Sequence, residues 1–205
     1  SATGSNQAMG AFIADSSDIT NGAVGKTSSL KGLSENGLGI GLYMAESEEA
    51  TTAATLKGTM LIEGSSVGVY NDGGTLINEA DLTVLGGMYN ADNFTNNANL
   101  YISGAESGAL YNEGIITSGE NASWVFLNNS STEDGGAIYN EGTLTLAGTN
   151  LFSGNTVNGV ANDIFNAGTL NIASGITTMD GGIEGSGALT IAEGATLDIG
   201  TASLV

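Results

Sequence analysis

The side chains able to do chemistry in this chain are nearly all carboxylates. Asp and Glu supply 22 of 205 residues, Lys and Arg together 3, and His and Cys none, for a formal net charge of −19. Without imidazole or thiol there is no Ser-His or Cys-His triad and no ordinary zinc site. The three basic residues are Lys26, Lys31 and Lys57, so nothing after position 57 could neutralise the carboxylate of an acidic sugar, which speaks against lyase chemistry. A glycoside hydrolase needs only two carboxylates across a cleft. Glu133-Asp134 is the one adjacent acidic pair in the regular part of the chain, and it falls in a predicted loop. The remaining acids are scattered one or two per repeat, so no catalytic residue is assigned and no enzyme is expected. No cofactor or metal is expected either. Calcium is the one cation to consider, at Asp72-Gly73-Gly74, Asp134-Gly135-Gly136 and Asp180-Gly181-Gly182, although none of these matches the calcium nonapeptide Gly-Gly-x-Gly-x-Asp.

Two further residue types recur with a spacing that demands a scaffold. Asn71, Asn90, Asn112, Asn140 and Asn166 follow one another at steps of 19, 22, 28 and 26 residues. Each is preceded by an aromatic, in the order Tyr70, Tyr89, Tyr111, Tyr139 and Phe165, and before that by an apolar residue. Two copies are nearly verbatim: Ile138-Tyr139-Asn140-Glu141-Gly142-Thr143-Leu144-Thr145-Leu146 and Ile164-Phe165-Asn166-Ala167-Gly168-Thr169-Leu170-Asn171-Ile172. Such steps belong to solenoid repeats, and the alternating tails read as half-buried strands. Most intervals are too short for a helix, so short strands joined by turns must wind into a parallel β-helix. Stacked strands lie about 4.8 Å apart, which lets equivalent asparagines bond amide to amide at a buried bend. The glycine two residues past several of them is expected to supply backbone freedom at the corner. Val69, Met88, Leu110, Ile138 and Ile164 should form one core ladder, with Leu144 and Leu170 in another. The aromatic row has the opposite parity and should point outward, either as an exposed stripe for sugars or partner surfaces, or as a self-covering stack.

Composition agrees. Glycine is abundant at 33 residues and proline is absent, which suits a turn-rich chain whose backbone N–H groups are committed to ladders. About 22 residues per coil predicts one domain of roughly nine coils. Residues 1–36 lack the repeat phrase and are read as an N-terminal cap, a tail or a partner-pairing segment, with the β-solenoid over 37–205. Ala45 to Ala54 is the one stretch of helical composition, a short helix or an acidic loop. The surface charge repels nucleic acid and anionic lipid, and no apolar run is long enough to span a membrane, so neither partner is expected.

Gly135-Gly136-Ala137-Ile138, with Phe126-x-x-Asn129 and Phe152-Ser153-Gly154-Asn155, resembles the paired Gly-Gly-Ala-Ile and Phe-x-x-Asn repeats of polymorphic outer-membrane proteins and related autotransporter passengers. The full pair covers 126–155 and weaker versions extend over 68–172. The resemblance implies a right-handed parallel β-helix on a bacterial surface, commonly an adhesin. The final section, Gly182 to Gly200, is similar to the last coils of such passengers. The chain departs from the family in being short and in carrying no translocating barrel. The expected protein is therefore an all-β, single-domain right-handed parallel β-helix with irregular coils of 19–28 residues, extracellular or on the bacterial surface after loss of a signal peptide. Its role is structural and adhesive toward a host-surface protein or glycan. The alternatives are a filament of identical subunits stacked end to end and a polysaccharide-degrading β-helix.

Overall fold

The computed structural model describes residues 2–4, 7–14, 18–21, 27–45 and 52–204. The chain winds as a parallel β-helix of three faces. The first face is an 8-stranded sheet built from Gln7–Ile13, Leu38–Met44, Val67–Asn71, Met88–Asn90, Leu110–Asn112, Ile138–Asn140, Ile164–Asn166 and Ile183–Glu184. The second and third faces form one 15-stranded sheet, because Ala53–Gly64 and Thr75–Leu85 run unbroken around the corner between them. From Asn93 onward that corner is a turn, and each coil has separate strands, as in Thr143–Leu146 followed by Thr149–Ser153. The first face has eight strands and the third, counting Ala2–Gly4 beneath Thr27–Ser34, has nine, in keeping with the roughly nine coils expected. At about 4.8 Å per coil the first face is about 34 Å tall.

Register is what makes the sequence repeat visible in three dimensions. Asn71 pairs with Asn90, Asn90 with Asn112, Asn112 with Asn140 and Asn140 with Asn166. Their amides form a continuous chain: Asn71 Nδ2 donates to Asn90 Oδ1 (2.7 Å), Asn90 to Asn112 (2.9 Å), Asn112 to Asn140 (2.7 Å) and Asn140 to Asn166 (2.7 Å). Asn166 Nδ2 ends the chain on the carbonyl of Ala188 (3.0 Å), and all five side chains are buried. The other end is open. Met44 lies beneath Asn71 in register, has nothing to donate, and leaves Asn71 Oδ1 without a hydrogen-bond partner.

The core fills as expected. Val69, Met88, Leu110, Ile138 and Ile164 are buried and aligned, as are Leu144 and Leu170. Phe126 and Phe152 stack with centroids 5.0 Å apart, and Trp124 meets Phe94 edge-on at 6.0 Å while donating Nε1–H to Ser118 Oγ. The asparagines of the two Phe-x-x-Asn segments form a second polar ladder: Asn129 Nδ2 donates to Asn155 Oδ1 (2.9 Å), and Asn155 Nδ2 to Asp163 Oδ1 (2.7 Å). Asp163 also accepts from Gly181 N–H, and burial raises its pKa despite both bonds. A third ladder, Asn78 to Asn96 at 2.8 Å, lies inside the second face.

Two expectations change, and a third falls mostly outside the described residues. The sheets run through the boundary drawn at 36/37, since Gln7–Ile13 pairs with Leu38–Met44 and Thr27–Ser34 with Ala53–Gly64, so described strands on both sides of it belong to one stack. The helix or acidic loop proposed for Ala45 to Ala54 falls mostly on 46–51, outside the described residues, and Ala53 and Ala54 are strand. The glycine after the Asn corner is needed for contact rather than for φ. A Cβ on Gly142 would sit 2.0 Å from the carbonyl oxygen of Gly114, and one on Gly168 2.1 Å from that of Gly142, while neither residue has a positive φ.

Replacing Asn112 tests the ladder from its middle. Asn112→Ala orphans Asn140 Oδ1 and removes a partner of Asn90, and should lower stability by roughly 2–4 kcal/mol in denaturant unfolding. Asn112→Asp, which sets a carboxylate against Asn140 Oδ1 in a buried site, should cost more at neutral pH and recover as acid protonates it.

Candidate functional site

The outward row of the first face is longer than its motif. The rings run Phe12, Tyr43, Tyr70, Tyr89, Tyr111, Tyr139 and Phe165, each stacked on the next with centroids 4.5 to 5.7 Å apart. Tyr70, Tyr89, Tyr111, Tyr139 and Phe165 are half-buried rather than fully exposed. Every interior ring has a neighbour on both faces. What remains for a ligand is ring edges and hydroxyls, so the stacking of sugar rings on open aromatic faces is not on offer along the middle of the row. Phe12, at the end of the stack, is 56% exposed.

The hydroxyls are tied to carboxylates. Tyr43 donates to Asp72 (2.9 Å), Tyr89 to Glu113 (2.6 Å) and Tyr111 to Glu141 (2.8 Å), in each case the acid that follows the ladder asparagine one coil on. Tyr139 reaches the other oxygen of Glu141 at 3.3 Å. These bonds favour the neutral phenol. The hydrogen bond to Glu113 is the main cause of a raised Tyr89 pKa, and that to Glu141 of a raised Tyr111 pKa. Tyr43, Tyr70 and Tyr139 are raised chiefly by burial, with nearby carboxylates adding to it.

Beside the tyrosines lies an open groove of about 540 Å³. Its lining takes in Tyr70, Tyr89, Tyr111 and Tyr139 together with Ser107-Gly108 and the loop from Ser131 to Gly135. Glu133 and Asp134 belong to that loop as expected and are exposed, so the one adjacent acidic pair does face a concavity. The groove is rich in acceptors, with carboxylates and hydroxyls around aromatic edges, and suits a ligand that brings donors, such as a polyhydroxylated sugar or an ammonium group.

The remaining candidates are dispersed. Asp72 is occupied by Tyr43, Asp180 accepts from Ser153 Oγ (2.7 Å) and Gly154 N–H, and Asp134 stands on the groove loop. Among the described residues, no three acidic side chains gather closely enough to hold a metal ion. The ladder asparagines are buried, so they hold the corner and do not meet a ligand. Sequence reasoning missed the carboxylate partners, although the Asp or Glu after three of the asparagines was the available signal. It also missed Tyr43 and Phe12 as members of the row, and the hairpin of Thr156–Val157 with Val160–Ala161, which Asn158-Gly159 announces as a turn. The chain finds no match among protein-family models, curated proteins or solved structures.

The tyrosines give a pH test whose sign is set. Their folded pKa values lie above the ordinary phenol value of 10.0, so the stability they contribute is complete below pH 10 and is lost as pH climbs through the raised values. Spectrophotometric titration should show the ladder phenols ionising above their ordinary range in the folded protein. Glu141→Gln should bring Tyr111 down toward it.

Proposed function

We propose that the chain is a non-enzymatic, extracellular structural and adhesive β-solenoid, displayed on or secreted from a bacterial surface. The observation that carries this reading is the unbroken stack itself, whose residues are spent on ladders from Asn71 to Asn166 and from Phe12 to Phe165. A rod of this kind resists local opening, because each strand between the end coils is hydrogen-bonded on both sides. The chemistry it presents is acceptor groups at the groove between the tyrosine row and the loop bearing Glu133 and Asp134. That chemistry fits recognition of a glycan or of a basic patch on a host-surface protein.

A second reading, the filament of stacked subunits, draws on the last complete coil. Leu189 and Ile191 are 36% and 47% exposed, whereas Leu170 and Ile172, directly beneath them in register, are fully buried. A further coil laid on Ala188–Ile191, from a second copy of the chain, would cover both side chains and pair the strand edge.

Electron micrographs of the purified chain distinguish these two. Discrete short rods are expected, and long regular fibres at dilute concentration would transfer the assignment to the filament. For the adhesive reading, binding to an immobilised panel of glycans and matrix proteins should weaken in Glu133→Gln and Asp134→Asn. Release of reducing sugar from a polysaccharide, lost in either variant, would instead make the groove a hydrolase site.

A further inference from the structure

The tyrosine row of the first face combines three properties that the other aromatics of the chain do not combine. It is cofacial: Tyr43, Tyr70, Tyr89, Tyr111 and Tyr139 stand in four successive contacts, with centroids 4.5 to 5.7 Å apart and ring planes 5° to 23° from parallel. It carries bases on its hydroxyls, with Asp72 2.9 Å from Tyr43, Glu113 2.6 Å from Tyr89, and Glu141 2.8 Å from Tyr111 and 3.3 Å from Tyr139. Its ring edges can also be reached, since Tyr70, Tyr89, Tyr111 and Tyr139 line the open groove. The core stack of Trp124, Phe126 and Phe152 is as close, at 5.9 and 5.0 Å, but it is fully buried and has no phenol. Tyr101, the sixth tyrosine, lies off the row on the third face, between Thr83 and Val125 in register.

A neutral donor is all that stacked carboxylates require, and glutamine could supply one. A phenol adds something else: in a chain without cysteine, phenol and indole are the side chains that give up a single electron most readily. Losing the electron alone leaves an unstable cation, and a carboxylate already hydrogen-bonded to the hydroxyl removes that obstacle by taking the proton as the electron leaves. We infer that the row takes up one-electron oxidising equivalents at its exposed edges and passes them from ring to ring. The oxidant is of the peroxide-derived class, such as the ferryl haem of a peroxidase. At Tyr89 the O–H bond breaks, the electron reduces the oxidant and the proton moves to Glu113, leaving a neutral phenoxyl beside a carboxylic acid. In the next step Tyr111 gives an electron to that phenoxyl and its proton to Glu141, while Glu113 returns the proton it held and Tyr89 is a phenol again. Glu141 serves both Tyr111 and Tyr139 through its two oxygens, so one acid supports two neighbouring sites. Phe12 and Phe165, which close the stack at either end, have no hydroxyl and confine the radical to the five tyrosines. A diffusible enediol or thiol resets the row by returning one electron, with the proton coming back from the acid.

The test uses the full chain with a ruthenium polypyridyl photosensitiser on Thr132→Cys, an exposed position that lines the groove with Tyr139 and gives a unique thiol in a chain without cysteine. Flash oxidation in the presence of persulfate generates the one-electron oxidant in place, and adducts of a nitroso spin trap are mapped by mass spectrometry. Adducts are expected on Tyr43, at the far end of the row. The double variant Tyr70→Phe, Tyr89→Phe keeps a ring at every level and removes two phenols, and should lose the adducts on Tyr43 while keeping those on Tyr111 and Tyr139. Phenoxyl absorption should also rise more slowly in Glu113→Gln, which leaves Tyr89 without its base. Circular dichroism and the unfolding midpoint check that each stack is intact. If the double variant fails to fold, Tyr89→Phe takes its place and should delay the arrival at Tyr43. Wild-type adducts confined to Tyr111 and Tyr139 overturn the proposal, as do Tyr43 adducts that persist undelayed in the phenylalanine variant, or oxidation of Glu113→Gln at the wild-type rate.

Discussion

Every part of this molecule answers to one constraint: strands stack in parallel and in register about 4.8 Å apart, so each side chain faces the residue at the same position one coil away. Self-pairing decides which residues can occupy a ladder. Asparagine can, since its amide carries a donor and an acceptor and passes a hydrogen bond along the stack from Asn71 to Asn166. Aspartate cannot, because two ionised carboxylates at that spacing repel and neither donates. The acid that does enter a polar ladder, Asp163, sits at an end of it, where it only has to accept.

The same constraint shapes the exterior. With 22 acids in the chain, like charges stacked coil on coil would oppose the fold, and the structure separates them with neutral donors. The tyrosines do this along the first face, where Tyr89 and Tyr111 each lend a proton to the carboxylate of the coil above. Lys31 and Lys57 perform the equivalent task in the early coils, pairing with Glu63 at 2.6 Å and Glu79 at 3.4 Å, although partly exposed pairs of this kind add little stability. On the second and third faces most outward positions carry no charge, as in Thr143 and Thr145 on one and Thr149 and Leu151 on the other.

Much of the architecture was legible because ladder residues repeat in sequence. The five asparagines, the core positions beside them and the Phe-x-x-Asn pair could all be aligned by eye, and they align in space. The early coils were harder to read. Ile13 and Met44 occupy the asparagine position of the first two coils, so the phrase is absent there while the strand is not. Phe12 and Tyr43 were visible only as isolated aromatics until the register placed them beneath Tyr70.

By itself the sequence determined the period, the closure into a parallel stack, the inward and outward parity of each ladder and the absence of the histidine and cysteine that Ser-His and Cys-His triads and ordinary zinc sites use. These are local or periodic properties, carried by residue type and spacing. Which carboxylate meets which hydroxyl, which loop overhangs the tyrosines to make a groove, and why the corner glycines tolerate no Cβ were decided only by the tertiary structure. Each of these is a contact between coils of unequal length. The offset that brings Glu141 to Tyr111, or the carbonyl of Gly114 against Gly142, exists only once the coils are laid on one another.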